Sequence, residues 1–110
     1  MSVKQALQDL EKKMSEDNSH IQSLNGVLQF DITGDESETF QVEFDSGTVK
    51  LKTDELTNPL CTLVTSGDNL VKLIRGQLNA TTAVFTGKLK VKGDLGFAMK
   101  IQSILPKYAS

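Results

Sequence analysis

Three side chains in this 110-residue chain are nominal candidates for covalent or acid-base chemistry: Cys61, His20 and Asp94. Cys61 is the only cysteine, which excludes an internal disulfide and suits a reducing compartment. Inside the apolar run 60–65 a lone thiol reads as filler before it reads as a nucleophile. His20 stands in a polar connection with no second His and no Cys near it in sequence, so neither a metal pair nor a thiol dyad is available to it. Gly93-Asp94-Leu95-Gly96 precedes a helix and could hold an anion at its N-terminus, yet it lacks the glycine pattern and the βαβ setting of a nucleotide site. The remaining acids fall on strand exteriors, helix exteriors and turns, where no two are held together as an acid-base pair. HExxH, CxxC, GxSxG and the phosphate-binding loop are absent from the sequence. The expectation is a protein that is not an enzyme, with no catalytic residue, no metal and no cofactor.

What the chain offers instead lies in residues 85–105, FTGKLKVKGDLGFAMKIQSIL. Leu89 and Val91 alternate with Lys88, Lys90 and Lys92, the two-residue period of a strand with one apolar face. Gly93 and Asp94 end it. At about 100° per residue, the helix that follows places Leu95, Ala98, Met99, Ile101 and Leu105 on one broad arc, which Phe97 and Ile104 extend. The arc is wider than one flat contact needs, and Gln102 falls inside it. A buried amide without a partner costs roughly 1–3 kcal/mol, so Gln102 is either paired to backbone or directed at something other than hydrocarbon.

The elements that must position this stretch are legible from their periods. Residues 3–14 read as a one-faced helix with Val3, Leu7, Leu10 and Met14 in a narrow arc. Residues 15–23 are a polar connection, and Asn25-Gly26 leads into a strand over 27–33 with Leu28, Phe30 and Ile32 inward. Residues 39–45 repeat the pattern with Phe40, Val42 and Phe44, after a turn at Gly34-Asp35, and residues 48–53 with Val49 and Leu51. These make an antiparallel meander whose outer face, with Gln29, Asp31, Gln41, Glu43, Lys50 and Lys52, is expected to meet solvent. Pro59 bars a ladder donor, so 54–59 is a connection before a strand over 60–65. Ser66 caps a short helix that ends at Arg75-Gly76, and Asn79 caps a second, weakened by Thr81 and Thr82.

One domain spanning residues 1–110 is expected, since 38% hydrophobic and 24% charged residues describe an ordinary globule with one core. The formal charge of -2, no Trp and one Tyr argue against a nucleic-acid binder. With no apolar run of membrane-spanning length and no hydrophobic leader region, the protein is expected to be soluble and intracellular. Residues 70–74, 78–85 and 95–105 nevertheless carry more apolar surface than a single sheet face absorbs. Core filling, a dimer surface and the wall of a cavity all remain open as its use.

The run from Phe85 to Gln102, extended upstream by LVKLIRGQLNATTAVFTG, resembles the signature of the sterol carrier protein 2 family, and the order of elements agrees along the whole chain. The resemblance implies an α/β (α+β) domain in which helices cover one face of a five-stranded mixed sheet and enclose an apolar tunnel. It implies non-enzymatic intracellular binding and transfer of fatty acids, fatty acyl-CoA, sterols and phospholipids by a monomeric domain of fungal or peroxisomal type; members of the family also occur fused to enzymes, and this chain is expected to be a stand-alone domain. Transient contact with membranes and peroxisomal enzymes belongs to the same expectation. The ligand-contacting residues implied are Leu73, Ile74, Leu78, Val84, Phe85, Phe97, Ala98, Met99, Ile101, Gln102, Ile104 and Leu105, with Gln102 as the polar contact. Peroxisomal localisation is implied by the resemblance alone, because the sequence ends Lys107-Tyr108-Ala109-Ser110 and not in a Ser-Lys-Leu type tripeptide; the cytoplasm is the alternative. A different class of reading stands beside it: an interaction module whose apolar helix surface forms a dimer or docks on a β-oxidation enzyme. A small acyl-CoA hydrolase is the third, and it needs Cys61, His20 or Asp94 at the cavity mouth.

Overall fold

Ser2 opens the fold by capping helix α1 (Val3–Glu16): its hydroxyl accepts from the Gln5 N–H at 3.1 Å while the Gln5 side chain accepts from the Ser2 N–H at 3.3 Å. The pair satisfies two donors that every helix start leaves open. Ala6, Leu7, Leu10 and Met14 are buried along one stripe of α1. On its flank, the Glu11 carboxylate accepts from the Leu51 N–H at 2.6 Å and so ties the helix to a strand. The computed structural model describes residues 2–34 and 37–109.

Strands β1 (Asn25–Thr33), β2 (Glu38–Asp45) and β3 (Thr48–Lys52) form the expected antiparallel meander. Leu28, Phe30 and Ile32 of β1 and Phe40, Val42 and Phe44 of β2 are all buried on the helix side. Ser46 and Gly47, with φ of 48° and 99°, make the turn between β2 and β3, where the Ser46 N–H donates to the Asn25 side chain at 3.0 Å. The turn expected at Gly34-Asp35 falls in part on residues outside those described.

Strand β4 (Cys61–Ser66) does not continue the meander; it pairs parallel to β1, and β5 (Leu89–Gly93) pairs antiparallel to β4. The order β3-β2-β1-β4-β5 is the five-stranded mixed sheet that the resemblance implied. Because β3 and β4 are two strands apart, residues 53–60 must cross the sheet, and they do so on the face turned away from the helices. This corrects the expectation that solvent covers that whole face. Gln41, opposite in orientation to Phe40 and Val42, is 0% exposed. Its amide donates to the Thr57 carbonyl at 2.6 Å and the Gln29 side chain at 2.8 Å, and its carbonyl accepts from the Thr57 N–H at 3.0 Å. The crossing segment has only Leu56 as a large apolar residue before Pro59, so no period revealed where it would lie.

The remaining helices α2 (Gly67–Ile74), α3 (Ala80–Phe85) and α4 (Leu95–Tyr108) each start at a side-chain cap. Ser66 accepts from the Asn69 N–H at 3.2 Å, Asn79 from the Thr82 N–H at 3.2 Å, and Asp94 from the Phe97 N–H at 3.0 Å. Gly93 makes the sharp entry into α4: its φ is +97°, and a Cβ there would lie 2.6 Å from the Leu60 carbonyl oxygen. Helix α4 runs one turn past the expected end and contains Pro106. Proline has no N–H, so the Gln102 carbonyl lacks its usual helical donor and the last turn is held less tightly.

Candidate functional site

An apolar cavity of about 200 Å³ lies where α3 and α4 cover the β4–β5 edge of the sheet. Leu63, Leu89 and Val91 form its floor. Leu73 closes it from α2, Ala80 and Val84 from α3, and Leu95, Ala98, Met99, Ile101, Gln102 and Leu105 from α4. Gln102 is the only polar residue among these twelve. Its amide donates to the Thr81 hydroxyl, a side-chain partner on α3 that neither expectation for this glutamine foresaw.

The wide arc of α4 divides its work. Phe97, Ile101, Ile104, Leu105 and Tyr108 are buried in the core, and Phe97 packs edge-on against Phe44 with ring centroids 6.3 Å apart. Ile101 and Leu105 also reach the cavity. Leu95 and Met99, which the arc placed with the core, are 62% and 68% exposed at its rim. The expected site residues separate accordingly. Leu73, Val84, Ala98, Met99, Ile101, Gln102 and Leu105 come together around the cavity. Leu78 borders an adjoining depression with Leu73, Gln102 and Leu105. Phe85, 88% exposed, stands at the outer lip beside Thr81, Val84 and Gln102. Phe97 and Ile104 lie in the core, and Ile74 faces a second cleft of about 90 Å³ with Leu10 and Tyr108. Leu63, Ala80, Leu89, Val91 and Leu95 line the cavity without having been singled out. The alternation of β4 and β5 marked their inward residues, but inward meant core until the edge position of β5 was known.

The nominal catalytic groups lie apart from this cavity. Cys61 is 1% exposed, paired with Gly93 across the ladder; burial pushes its thiol up from the usual value, and the charge of Asp94 adds to the rise. The Asp94 carboxylate is engaged as the α4 cap. His20 stacks edge-on against Tyr108 at 5.5 Å, with its Nε2 4.0 Å from Asp17. There the Tyr108 hydroxyl donates to the Asp17 carbonyl oxygen at 2.6 Å, and burial raises its pKa. The Ser19 hydroxyl, donating at 2.7 Å, holds the exposed Asp17 carboxyl below its usual range. None of the three candidates is among the residues that line the cavity. Among the described residues no group of three His, Cys, Asp or Glu could hold a metal, and no helix is long and apolar enough to cross a membrane.

The model of the SCP-2 sterol transfer family matches residues 4–106. The chain belongs to that family. Sterol carrier protein 2 of Rattus norvegicus is 30% identical over 100 residues, covering 87% of this chain and 18% of the relative; the Gallus gallus protein is 31% identical with the same coverage. The hydroxysteroid dehydrogenase-like protein 2 of Xenopus laevis is 30% identical over 105 residues, 94% of this chain and 24% of that protein. The chain thus spans about a fifth of these curated relatives. Among solved structures, sterol carrier protein domain 2 of Helicoverpa armigera superposes with a TM-score of 0.81 at 28% identity, over 94% of this chain and 84% of that one. Palmitated SCP2L2 of Aedes aegypti superposes with a TM-score of 0.78 at 20% identity, over 100% of this chain and 99% of that one, which establishes the shared fold. In this SCP-2 domain the cavity lies between β5 and α4, which supply Leu89, Val91, Leu95, Ala98, Met99, Ile101, Gln102 and Leu105 to its lining.

Proposed function

We propose that this SCP-2 domain binds the acyl chain of a fatty acid or a related lipid in the α3–α4 cavity and transfers it without covalent chemistry. The observation that carries the reading is the cavity itself: eleven apolar residues and one amide, the composition that suits a hydrocarbon chain with one polar end. Burial of each methylene contributes about 0.8 kcal/mol, so affinity follows from chain length, and fatty acids, fatty acyl-CoA, sterols and phospholipids all present suitable apolar bodies. Two structural neighbours from Aedes aegypti are described with palmitate, which supports the same class of ligand. The volume of about 200 Å³ is smaller than the roughly 300–1,000 Å³ of most ligand sites, so a long chain requires α3 and α4 to separate. The loosened last turn of α4 at Pro106 is the natural place for that movement. Gln102 then exchanges its Thr81 partner for the ligand's carboxylate or carbonyl. On the family's analogy, the domain serves peroxisomal lipid metabolism.

Titration of delipidated protein with a fluorescent fatty acid tests this. Saturable binding near one per chain is expected; a folded, lipid-free protein that binds none refutes the reading.

A further inference from the structure

The sulfur atoms of this chain belong to Met1, Met14, Cys61 and Met99. Met1 lies outside the described residues. Met14 and Cys61 are each 1% exposed, and burial, which pushes the Cys61 thiol up, keeps it in the unreactive protonated form. Met99 is the opposite case. It is 68% exposed and also lines the α3–α4 cavity, so one thioether is open to water and forms part of an apolar wall.

Oxidation changes that wall in two ways. A thioether is apolar, whereas a sulfoxide is polar and accepts hydrogen bonds that a hydrocarbon chain cannot donate. The cavity has no spare polar group to satisfy it: the other lining residues are apolar apart from Gln102, whose amide is engaged with the Thr81 hydroxyl. Met99 and Gln102 stand three residues apart on α4, so their side chains are neighbours on the helix surface. A sulfoxide oxygen at Met99 therefore competes with Thr81 for the Gln102 amide, which loosens the link between α3 and α4 while the wall turns polar. Both effects favour loss of an apolar ligand.

We propose that Met99 is an oxidation site through which hydrogen peroxide empties the cavity. The sulfur lone pair attacks one peroxide oxygen, and the S–O bond forms as the O–O bond breaks. The departing oxygen takes up the proton of the transferred one and leaves as water, so sulfur is oxidised by two electrons and the peroxide is reduced. A methionine sulfoxide reductase supplied with a dithiol reverses the step: the oxygen leaves as water and the dithiol becomes a disulfide. The consequence for ligand rests on the lipid-binding reading, but the modification itself does not.

The test treats folded, delipidated protein with hydrogen peroxide and digests it with trypsin, which releases residues 93–100 as a peptide with Met99 as its only sulfur. That peptide should gain one oxygen, while Met14 and Cys61 react only once the protein is unfolded. Affinity for a fluorescent fatty acid should fall about fivefold or more, with little change in urea midpoint, and a methionine sulfoxide reductase with dithiothreitol should restore it. In Met99→Leu, peroxide should leave the affinity within about twofold of that variant's own untreated value, whereas Met14→Leu should keep the fall. Met99 unmodified in the folded protein, oxidised Met99 with unchanged affinity, a fall that Met99→Leu shares, or a fall that accompanies unfolding overturns the proposal. Untreated protein that binds no fatty acid overturns the lipid-binding reading and takes this consequence with it; normal untreated binding that oxidation of Met99 leaves unchanged overturns the oxidation proposal alone.

Discussion

The side-chain amide of Gln102 on α4 donates to the hydroxyl of Thr81 on α3, linking the two helices that cover the cavity. The link has to open if the helices are to part around a lipid. Thr81→Val keeps the shape of the side chain and removes the acceptor. Gln102 is only half-buried, so its amide can turn to water, and the net loss is about 0.5–1.5 kcal/mol. Release of a fluorescent fatty acid, followed by stopped flow, should accelerate roughly two- to tenfold. An unchanged or slower release would show that the link does not hold the cavity closed.

Ala98 and Ile74 separate cavity from core. Ala98 is half-buried and lines the cavity, so Ala98→Phe fills space that the fold leaves open. Fatty-acid affinity should fall by about tenfold or more, the loss of two or so buried methylenes, with little change in urea midpoint. Ile74→Ala removes core instead and should cost about 2–5 kcal/mol of stability. Its fatty-acid affinity should stay within about twofold, because Ile74 faces the second cleft.

The buried Cys61 thiol gives the stability a definite pH dependence. Its pKa is raised above the ordinary 9.0 in the folded protein, so above that value the unfolded chain holds fewer protons than the native one. Its contribution is therefore fully present below pH 9.0 and is lost as the pH rises through the folded pKa. Tyr108, raised from 10.0, adds a loss of the same sign at higher pH. Urea midpoints should fall as the pH rises above 9.0, and Cys61→Ala should shrink that fall. A thiol reagent should label Cys61 only on unfolding; rapid labelling of the native protein would contradict its burial.

Gln41 anchors the crossing segment to the sheet. Gln41→Leu leaves the Gln29 carbonyl and both Thr57 backbone groups without this partner, at a cost of about 1–3 kcal/mol by chemical denaturation. Amides of residues 53–60 should exchange faster in the variant, with those of β4 little affected.

The sequence was most informative where a period coincided with a punctuation residue. Leu28-Phe30-Ile32 and Phe40-Val42-Phe44 alternated cleanly, and Ser66 and Asn79 marked helix starts that the structure realises as caps. Alternation also found the inward faces of β4 and β5. It could not show that β4 would leave the meander to pair with β1, and that choice buries Gln41 and places Leu63, Leu89 and Val91 under a cavity. The helical arc of α4 was equally blind to its neighbours. Leu95 and Met99 share the apolar sector with Ile101, but the sheet ends beneath them at β5, so they stand at the rim.

The central claim is that an acyl chain lies between α3, α4 and the β4–β5 edge. Isotope-edited NMR of the protein with a carbon-13-labelled fatty acid tests it most directly. Nuclear Overhauser contacts are predicted from the acyl methylenes to the methyl groups of Leu63, Leu89, Ala98 and Ile101, together with a shift of the Gln102 side-chain amide. Contacts confined to the Ile74–Tyr108 cleft, or bound ligand with no contact to these methyl groups, would contradict the account.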